Sequence, residues 1–196
     1  MGIELIPSDI RNKYEIHEWK HACAVLKNDF QNEWNDIVDL LRTFKLCKSW
    51  ITVGGGSKSK VANSIDNFLY GRGWSEKSFA TSFKVDSDEY ESPTHKIDCY
   101  KNKIALEIEW NNKDPFFDRD LNNFRLLFEL RAISVGVIIT RCDDLQDIFH
   151  KLGRHGSFGA STTHMSKLLP RIQGGGGGGC PILVFGIRQL LYDEGC

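Results

Sequence analysis

The stretch Lys96-Ile-Asp-Cys-Tyr-Lys-Asn-Lys-Ile-Ala-Leu-Glu-Ile-Glu-Trp110 carries the clearest structural signal in the chain. It predicts two short strands around a tight turn at Lys101-Asn102-Lys103. The second strand alternates between two sets of residues on opposite faces, namely Ile104, Leu106, Ile108 and Trp110 against Ala105, Glu107 and Glu109. A two-residue turn at Lys101-Asn102 would set Asp98 opposite Ala105 and diagonal to Glu107, on the face that carries both glutamates.

Three carboxylates on one face of a hairpin repel each other, and that repulsion is relieved if a cation lies among them. Asp98, Glu107 and Glu109 are therefore candidate metal-site residues. The alternative is a strand whose acidic face is simply solvated, as in many antiparallel sheets. Spacing alone leaves both interpretations open.

The composition predicts one domain over residues 1–196, with a core at about 61–190 and N-terminal helices over 9–46. No apolar run approaches the length of a membrane span, and no signal-peptide pattern is expected at the N-terminus. Six cysteines are scattered without C-x-x-C spacing among the 196 residues. They favour reduced thiols in a cytoplasm over a disulfide framework or a zinc site.

The formal net charge of −1 hides a segregation of charge along the chain. Eight basic residues lie between Arg42 and Lys84, against only Asp66 and Glu76. Residues 149–173 contain four basic residues, three histidines and no acid. Two basic stretches that flank a carboxylate cluster are typical of an enzyme that cleaves a polyanion.

Two local motifs indicate other chemistries. His17-Glu18-Trp19-Lys20-His21 matches H-E-x-x-H, which binds zinc when both histidines share a helix face, but no third ligand is evident. A polar face on an N-terminal helix over residues 9–26 is the simpler interpretation. Gly54-Gly55-Gly56-Ser57-Lys58-Ser59-Lys60 follows a predicted strand at residues 50–53 but lacks the adjacent Gly-Lys of a P-loop. A basic loop that contacts a nucleic-acid backbone, or a plain surface loop, remains open.

The remaining pattern predicts alternating helices and strands. Helices are expected at residues 30–44, 61–70, 118–131, 143–152 and 164–171, and buried strands at 133–140 and 182–187. Strand, helix and buried strand form a right-handed crossover, so we expect an α/β fold with a mixed sheet and helices on both faces. Residues 174–179 are six consecutive glycines and predict a flexible link.

The order of these features resembles the PD-(D/E)xK nuclease core, and more narrowly the type II restriction endonucleases typified by BstYI and BglII, with BamHI more distant. The similar features run from about Trp74 to Ile187. They are Gly73-Trp74, Ile104-Ala-Leu-Glu-Ile-Glu-Trp110, Asp114-Pro115-Phe116, Val135-Gly-Val-Ile-Ile139 and Pro181-Ile-Leu-Val-Phe-Gly-Ile187.

The resemblance implies a Mg²⁺-dependent homodimer that cuts both strands of a short palindrome. Asp98 and Glu107 match its metal-binding acids, with the Ile108 carbonyl as a further ligand. Glu109 stands where the superfamily usually has lysine, where the BglII-like enzymes have glutamine, and where BamHI has glutamate. This departure leaves the general base open. Glu76 resembles a fourth active-site position contributed by a preceding helix.

DNA contacts are expected from residues that can address base edges or phosphates. Asn111, Asn112 and Lys113 follow the catalytic strand directly. A second group lies in a loop that approaches DNA in the similar enzymes, and it comprises Arg154, His155, Ser157, Ser161, Thr162 and Thr163. Lys58, Ser59 and Lys60 are expected to hold the backbone. A two-fold dimer would match a palindrome, with the helices around Trp34 or Phe124 as candidate interface elements.

The sequence therefore predicts a site-specific double-stranded DNA endonuclease with Mg²⁺ as its cofactor, in a prokaryotic cytoplasm, partnered by a cognate DNA methyltransferase and without membrane attachment. A repair or recombination nuclease on the same core is one alternative. A non-catalytic DNA-binding module is a second, and the zinc metalloprotease is a remote third.

Overall fold

Strands and helices alternate along most of the chain in a computed structural model that describes residues 2–53, 58–91 and 94–196. The helices are α1 (Ser8–Arg11), α2 (Ala22–Asp29), α3 (Gln31–Thr43), α4 (Lys48–Thr52), α5 (Lys60–Tyr70), α6 (Phe116–Glu129), α7 (Gln146–Lys151) and α8 (Met165–Gln173). The strands are β1 (Tyr14–Trp19), β2 (Leu46–Cys47), β3 (Ser75–Lys77), β4 (Ser82–Val85), β5 (Asp88–Glu91), β6 (Ile97–Lys101), β7 (Ile104–Glu109), β8 (Val135–Arg141), β9 (Ile182–Ile187) and β10 (Tyr192–Asp193).

A six-stranded sheet in the order β1-β9-β8-β7-β6-β3 organises the fold. The strands β7, β8 and β9 run parallel to one another, whereas β1, β6 and β3 join as antiparallel strands. The predicted α/β class with a mixed sheet is thereby confirmed. Two small sheets, β10 with β2 and β4 with β5, lie apart from it.

The central strands are buried on both faces, because helices cover the sheet from both sides. On one face Leu106 and Val137 pack into a cluster with Leu26 of α2 and Ile65 of α5. The opposite face of the same strands packs against α6 and α8, in a cluster that includes Ala105, Ile138, Phe124 and Leu168. The period-two alternation predicted for β7 is therefore confirmed, with apolar residues of both sets inside the protein.

The hairpin between β6 and β7 turns one residue later than predicted. Asn102 and Lys103 occupy the turn with φ angles of 43° and 67°, the left-handed pair that a tight two-residue hairpin requires. Lys101 consequently pairs with Ile104 and Cys99 with Leu106. The same register carried one residue further sets Asp98 beside Glu107, and not beside Ala105. The prediction that Asp98 and Glu107 share a face survives this shift.

The prediction of a helix over residues 9–26 is wrong, because the edge strand β1 occupies its centre. The predicted helical region over residues 9–46 therefore contains a strand. Tyr14 to Trp19 pair antiparallel with Ile187 to Ile182 of β9. Lys20 and His21 then have φ angles of 54° and 58°, which interrupt the helical path before α2. Pairing with β9 thus overrides a local pattern that also fitted a helix.

This strand removes the geometric basis of the zinc-protease hypothesis. The two histidines of H-E-x-x-H must share one helix face, but His17 lies within β1 and His21 precedes α2. The carboxylate of Glu18 accepts hydrogen bonds from the backbone amides of Cys23 (2.9 Å) and Gly2, so it is engaged in joining β1 to its neighbours.

Two connections also differ from expectation. Residues 50–53 were predicted as a strand, but Lys48–Thr52 form the short helix α4. The glycine run is a series of hydrogen-bonded turns and not a loose link: the Gly176 amide donates to the Arg171 carbonyl (2.9 Å), and a Cβ atom at Gly177 would lie 2.3 Å from Ile182 Cδ1. Glycine is needed there because the chain packs closely between α8 and β9.

The prediction that all cysteines are reduced is wrong for one pair, because a disulfide joins Cys47 and Cys196 across 149 residues of sequence. It ties β2 and the start of α4 to the segment after β10. Cys23, Cys99, Cys142 and Cys180 are free and buried.

Trp34 and Phe124, predicted to mark a dimer interface, are 5% and 0% exposed and lie in the core of the single chain. A contact between two copies through α3 or α6 would have to use other side chains. Within the ranges that the structure describes, none of the helices combines the length and the apolar character needed to cross a membrane.

Candidate active site

The predicted acidic residues converge where the hairpin meets the first turns of two helices. Asp98 lies on β6, while Glu107 and Glu109 lie on β7. The helix α5 begins on one side of them and α6 on the other. Glu107 and Glu109 are each 1% exposed, whereas Asp98 is only partly buried. The alternative of a solvated acidic strand face is excluded by this burial.

Backbone amides of the hairpin hold the first two carboxylates. The amide of Ile108 donates to Asp98 Oδ2 (3.0 Å), and the amide of Asp98 donates to Glu107 Oε2 (3.3 Å). Glu107 Oε1 is buried, and no hydrogen-bond donor in the described residues reaches it. A buried, unpartnered carboxylate oxygen is costly. It is accounted for if a cation completes its surroundings.

Burial raises the pKa of all three acids. For Glu107 burial acts together with the charges of Asp120 and Asp98, and the pKa is held well above its usual range. Burial and the adjacent Asp120 raise the pKa of Glu109 to about 9. Burial also raises the pKa of Asp98, although the Ile108 amide and the charge of Lys58 oppose this. The cluster thus has a surplus of buried negative charge.

A cavity of about 370 Å³ opens beside these residues, and we call it the acidic cavity. It is bordered by Lys58, Ser59, Ala62, Glu76, His95, Asp98, Ile108, Glu109, Trp110, Asn111, Asn112, Phe116 and Arg119. Glu107 lies behind this wall. Glu109 faces the cavity with both carboxylate oxygens engaged: Asn112 Nδ2 donates to Oε2 (2.9 Å) and Arg119 Nη2 to Oε1 (3.4 Å).

Sequence reasoning did not identify three charged residues of this cluster, which are the buried acids Asp66 and Asp120 and the cation Arg119. Asp120 on α6 is 0% exposed and accepts two hydrogen bonds from Arg119, at 2.8 and 3.0 Å. Asp66 on α5 is 2% exposed. It forms an ion pair with Lys58 and accepts a hydrogen bond from Cys99 Sγ (3.3 Å). Helical spacing was the available signal, since Asp66 is three residues before Leu69 and Asp120 is four before Phe124.

Glu76 lies on β3 and not on a helix, contrary to the resemblance that suggested it. Its carboxylate borders the acidic cavity but forms an exposed ion pair with Lys96 (2.7 Å). The helix that precedes β3 is α5, and the acid that it directs towards Asp98 is Asp66. A role for Glu76 stays a prediction.

The predicted DNA-contacting residues after β7 pair with the loop that follows α7. Asn111 Nδ2 donates to the Ser157 carbonyl (3.0 Å). The Thr163 amide donates to the Asn112 carbonyl (2.9 Å), and the Asn112 amide donates to the Thr163 hydroxyl (3.1 Å). Lys113 bridges to Thr162, and the Asp114 amide donates to the Ser161 carbonyl (3.1 Å). The two segments thus form one continuous surface at the end of β7.

The side chains of this surface differ in how free they are to bind. Thr163 is 0% exposed, and its hydroxyl accepts from the Asn112 amide at 3.1 Å. Arg141 Nη2 donates to the hydroxyl of Thr162 (2.7 Å), so Thr162 anchors the loop from below. Ser157 and Ser161 are exposed, and the exposed ring of His155 stacks on His150 at 4.6 Å. DNA contact by these residues stays a prediction.

A second cavity, of about 410 Å³, adjoins the first, and we call it the basic cavity. Its wall includes Lys58, Ser59, Lys60, Asn111, Arg154 and Ser157, six of the residues predicted to contact DNA. Lys58, Ser59, Trp110 and Asn111 border both cavities. Residues 54–57 of the glycine-rich loop lie outside the described residues.

The carboxylates fit a small divalent cation with hard oxygen ligands. Within the described ranges, no group of three or more His, Cys, Asp or Glu side chains is arranged as a metal site. Mg²⁺ does not need one, because it keeps several waters and is usually bound by one or two carboxylates. Asp98 and the unpartnered Glu107 Oε1 supply that donor set, and the Ile108 carbonyl lies in the same segment of the hairpin.

A family model described as "Restriction endonuclease BglII/BglIII" matches residues 14–187, which is most of the chain. The matched region begins at β1 and ends with β9, so it includes the whole six-stranded sheet and both segments of the candidate site. A search of curated proteins gives no match.

Proposed function

The chain belongs to the BglII/BglIII family of restriction endonucleases, and from that membership we propose that it hydrolyses both strands of DNA at a short palindromic site, with Mg²⁺ as its cofactor. The observation that carries the proposal is the pairing of Asp98 with Glu107 across the hairpin, with Glu107 Oε1 buried and unpartnered. These two acids stand where a cation would relieve an unfavourable charge cluster.

Asp98, Glu107 and the Ile108 carbonyl would hold the ion. When bound, Mg²⁺ would supply Lewis-acid charge beside the phosphodiester. Glu109 faces the acidic cavity at a point where it can orient an attacking water, and Asn112 and Arg119 fix the position of its carboxylate. Water attack then breaks one P–O bond and leaves one end as a phosphate and the other as a hydroxyl. Glu76 borders the same cavity and is retained as a fourth, auxiliary acid.

DNA would lie across both cavities. Lys58, Ser59, Lys60 and Arg154 line the basic cavity, where they can contact phosphates. The paired segments after β7 and α7 would address base edges. They contain Asn111, Asn112, Lys113, His155, Ser157, Ser161, Thr162 and Thr163. A palindromic target requires two identical sites, so we propose a homodimer. A cytoplasmic prokaryotic location and a cognate DNA methyltransferase complete the proposal.

Digestion of supercoiled plasmid DNA tests this function. With Mg²⁺ the purified protein should give discrete fragments, and sequencing of their ends should reveal one palindromic site; EDTA should abolish cleavage. Smeared products, or cutting confined to DNA ends and junctions, would favour a repair nuclease on the same core. DNA binding without any cleavage would favour a non-catalytic module.

A further inference from the structure

Lys58 is held at the boundary between the two cavities by the start of α5. The next residue, Ser59, caps this helix, its hydroxyl accepting a hydrogen bond from the Ala62 amide (3.0 Å). Lys58 therefore leaves the helix at a fixed point, and its side chain borders both the acidic and the basic cavity. About 39% of this side chain is exposed, so its ammonium group can reach a ligand in either space.

A buried acid directs this lysine towards the acidic residues. Lys58 Nζ pairs with Asp66, whose side chain is 3% exposed. The other oxygen of Asp66 accepts from Cys99 Sγ (3.3 Å), and Cys99 is the neighbour of Asp98 on β6. A buried carboxylate is tolerated only with a close partner. Asp66 thus binds the flexible lysine beside Asp98 and not out in solvent.

The other strong cation of the acidic cavity is already engaged. Arg119 donates twice to Asp120 and once to Glu109, and its guanidinium lies 4.2 Å from the centre of the Phe116 ring. Among the described residues that border this cavity, Lys58 is the one lysine. The strand β7 (Ile104–Glu109) contains no basic residue, so the strand itself offers no cation to the phosphate.

We propose that Lys58 is a catalytic residue, whose ammonium group contacts the scissile phosphate and supplies the positive charge that β7 lacks, with Asp66 holding it in place. This inference rests on the proposed nuclease function. It assigns Lys58 a part in the chemical step, beyond a grip on the DNA backbone. Lysine suits the part because it is a compact charge on a flexible stem, able to move from Asp66 to a nearby phosphate oxygen.

The lysine acts through charge alone. As the water oxygen bonds to phosphorus and the bond to the leaving oxygen breaks, negative charge grows on the non-bridging phosphate oxygens, where Lys58 would stabilise it. The proton of the attacking water passes to solvent, and the leaving oxygen takes a proton from solvent. Lys58 stays protonated throughout.

Single-turnover cleavage separates this part from simple binding. A duplex oligonucleotide carrying the site mapped by plasmid digestion is cut by saturating enzyme with Mg²⁺, and affinity for the same duplex is measured in EDTA. Lys58→Ala should lower the cleavage rate by about 100-fold or more, as expected for loss of one group that stabilises a transition state. The affinity should change by less than about fivefold, the effect of one phosphate contact. Lys58→Arg should restore part of the rate.

Two further variants test whether a loss of rate comes from removing any positive charge or from unfolding. Lys84→Ala removes one exposed charge from β4 and should cleave like the wild type. Because Lys58→Ala leaves Asp66 buried and unpaired, the double variant Lys58→Ala/Asp66→Asn removes both charges and should show the same loss of rate while folding normally.

The inference is overturned if wild-type protein cleaves but Lys58→Ala and the double variant retain a rate within about threefold. It is equally overturned if affinity falls while the saturated rate is unchanged, since Lys58 would then only bind DNA. If the wild type itself does not cleave, the proposed nuclease function fails first, and the inference fails with it.

Discussion

Two strands of the same sheet carry acidic side chains, and their surroundings differ. On the edge strand β1, the carboxylate of Glu18 accepts two backbone amides, and His17 pairs with Glu15 at 2.8 Å, both side chains being about one third exposed. On the central strand β7, Glu107 and Glu109 are 1% exposed, and Glu107 Oε1 has no donor among the described residues. The edge strand matches the H-E-x-x-H motif, but it is the central strand that carries a buried carboxylate oxygen without a hydrogen-bond partner.

The difference between the two strands places the candidate site at β7, where a buried carboxylate oxygen has no hydrogen-bond donor among the described residues. An acid whose oxygens are bound by backbone amides, as in Glu18, stabilises the fold. An acid buried beside other acids costs stability and is explained by what binds there. Three experiments test this distinction.

The largest effect is expected at the central strand. Glu107→Gln keeps the shape of the side chain but removes its charge, so cleavage of plasmid DNA with Mg²⁺ should fall by about 1,000-fold or more, the cost of removing a principal metal ligand. DNA affinity in EDTA should be retained within a few-fold. His17→Ala on the edge strand is the matched control and should cleave at the wild-type rate. Retained cleavage by Glu107→Gln would remove β7 from the active site.

A smaller effect is expected on the stability of the metal-free protein. The pKa of Glu109 is raised in the fold, from 4.5 to about 9, so folding favours its protonated form. The ionised Glu109 side chain lowers the free energy of unfolding. This effect is absent below pH 4.5 and grows as the pH rises from 4.5 to about 9. Glu109→Gln should therefore increase the free energy of unfolding at pH 8 in EDTA, by about 1–3 kcal/mol, and by much less at pH 5.

Urea titration at the two pH values measures this difference. Glu15→Gln on β1 serves as the control and should change the free energy of unfolding by less than about 0.5 kcal/mol at either pH. An equal effect of Glu109→Gln at pH 5 and pH 8 would contradict this prediction, because it would show that the ionised carboxylate of Glu109 does not destabilise the fold.

The smallest effect concerns the edge strand. Glu18→Ala removes the acceptor of the Cys23 and Gly2 amides, so the free energy of unfolding should fall by about 0.5–1.5 kcal/mol, as for other hydrogen bonds of this kind. The cleavage rate with Mg²⁺ should not change, and metal analysis should find no stoichiometric zinc. Loss of cleavage without loss of stability would show that β1 has a chemical role.

The central sheet was predictable because its signal is local and repeated. In β7, β8 and β9 the apolar residues form short β-branched runs, which have few alternatives to a buried parallel strand. The edge strand β1 was missed because Ile16, Trp19, Cys23 and Leu26 also fit a helical spacing. Only the pairing of residues 14–19 with β9, some 170 residues later, decides between helix and strand. The Cys47–Cys196 disulfide has the same non-local character.

The candidate site was predictable to the extent that it lies on one hairpin. Asp98, Glu107 and Glu109 share a face because strand residues alternate, and this held even though the turn came one residue later than predicted. Asp66 and Asp120 come from two separate helices, and their approach to the hairpin depends on how α5 and α6 pack on opposite faces of the sheet. Helical spacing could have indicated that both acids face inward, but it carries no signal for the point at which they meet the hairpin.

The wall shared by the two cavities has a practical consequence for anyone wishing to alter the target site. Trp110 and Asn111 extend directly from the strand that carries Glu107 and Glu109, and they border the space where phosphates would be held as well as the space where the acids act. On the proposed function, residues that read the DNA and residues that cut it would lie side by side in this part of the chain. Engineering a new specificity would mean rebuilding part of the cutting apparatus, and selections for altered targets should recover compensating changes on α5 and α6 as often as in the loop itself.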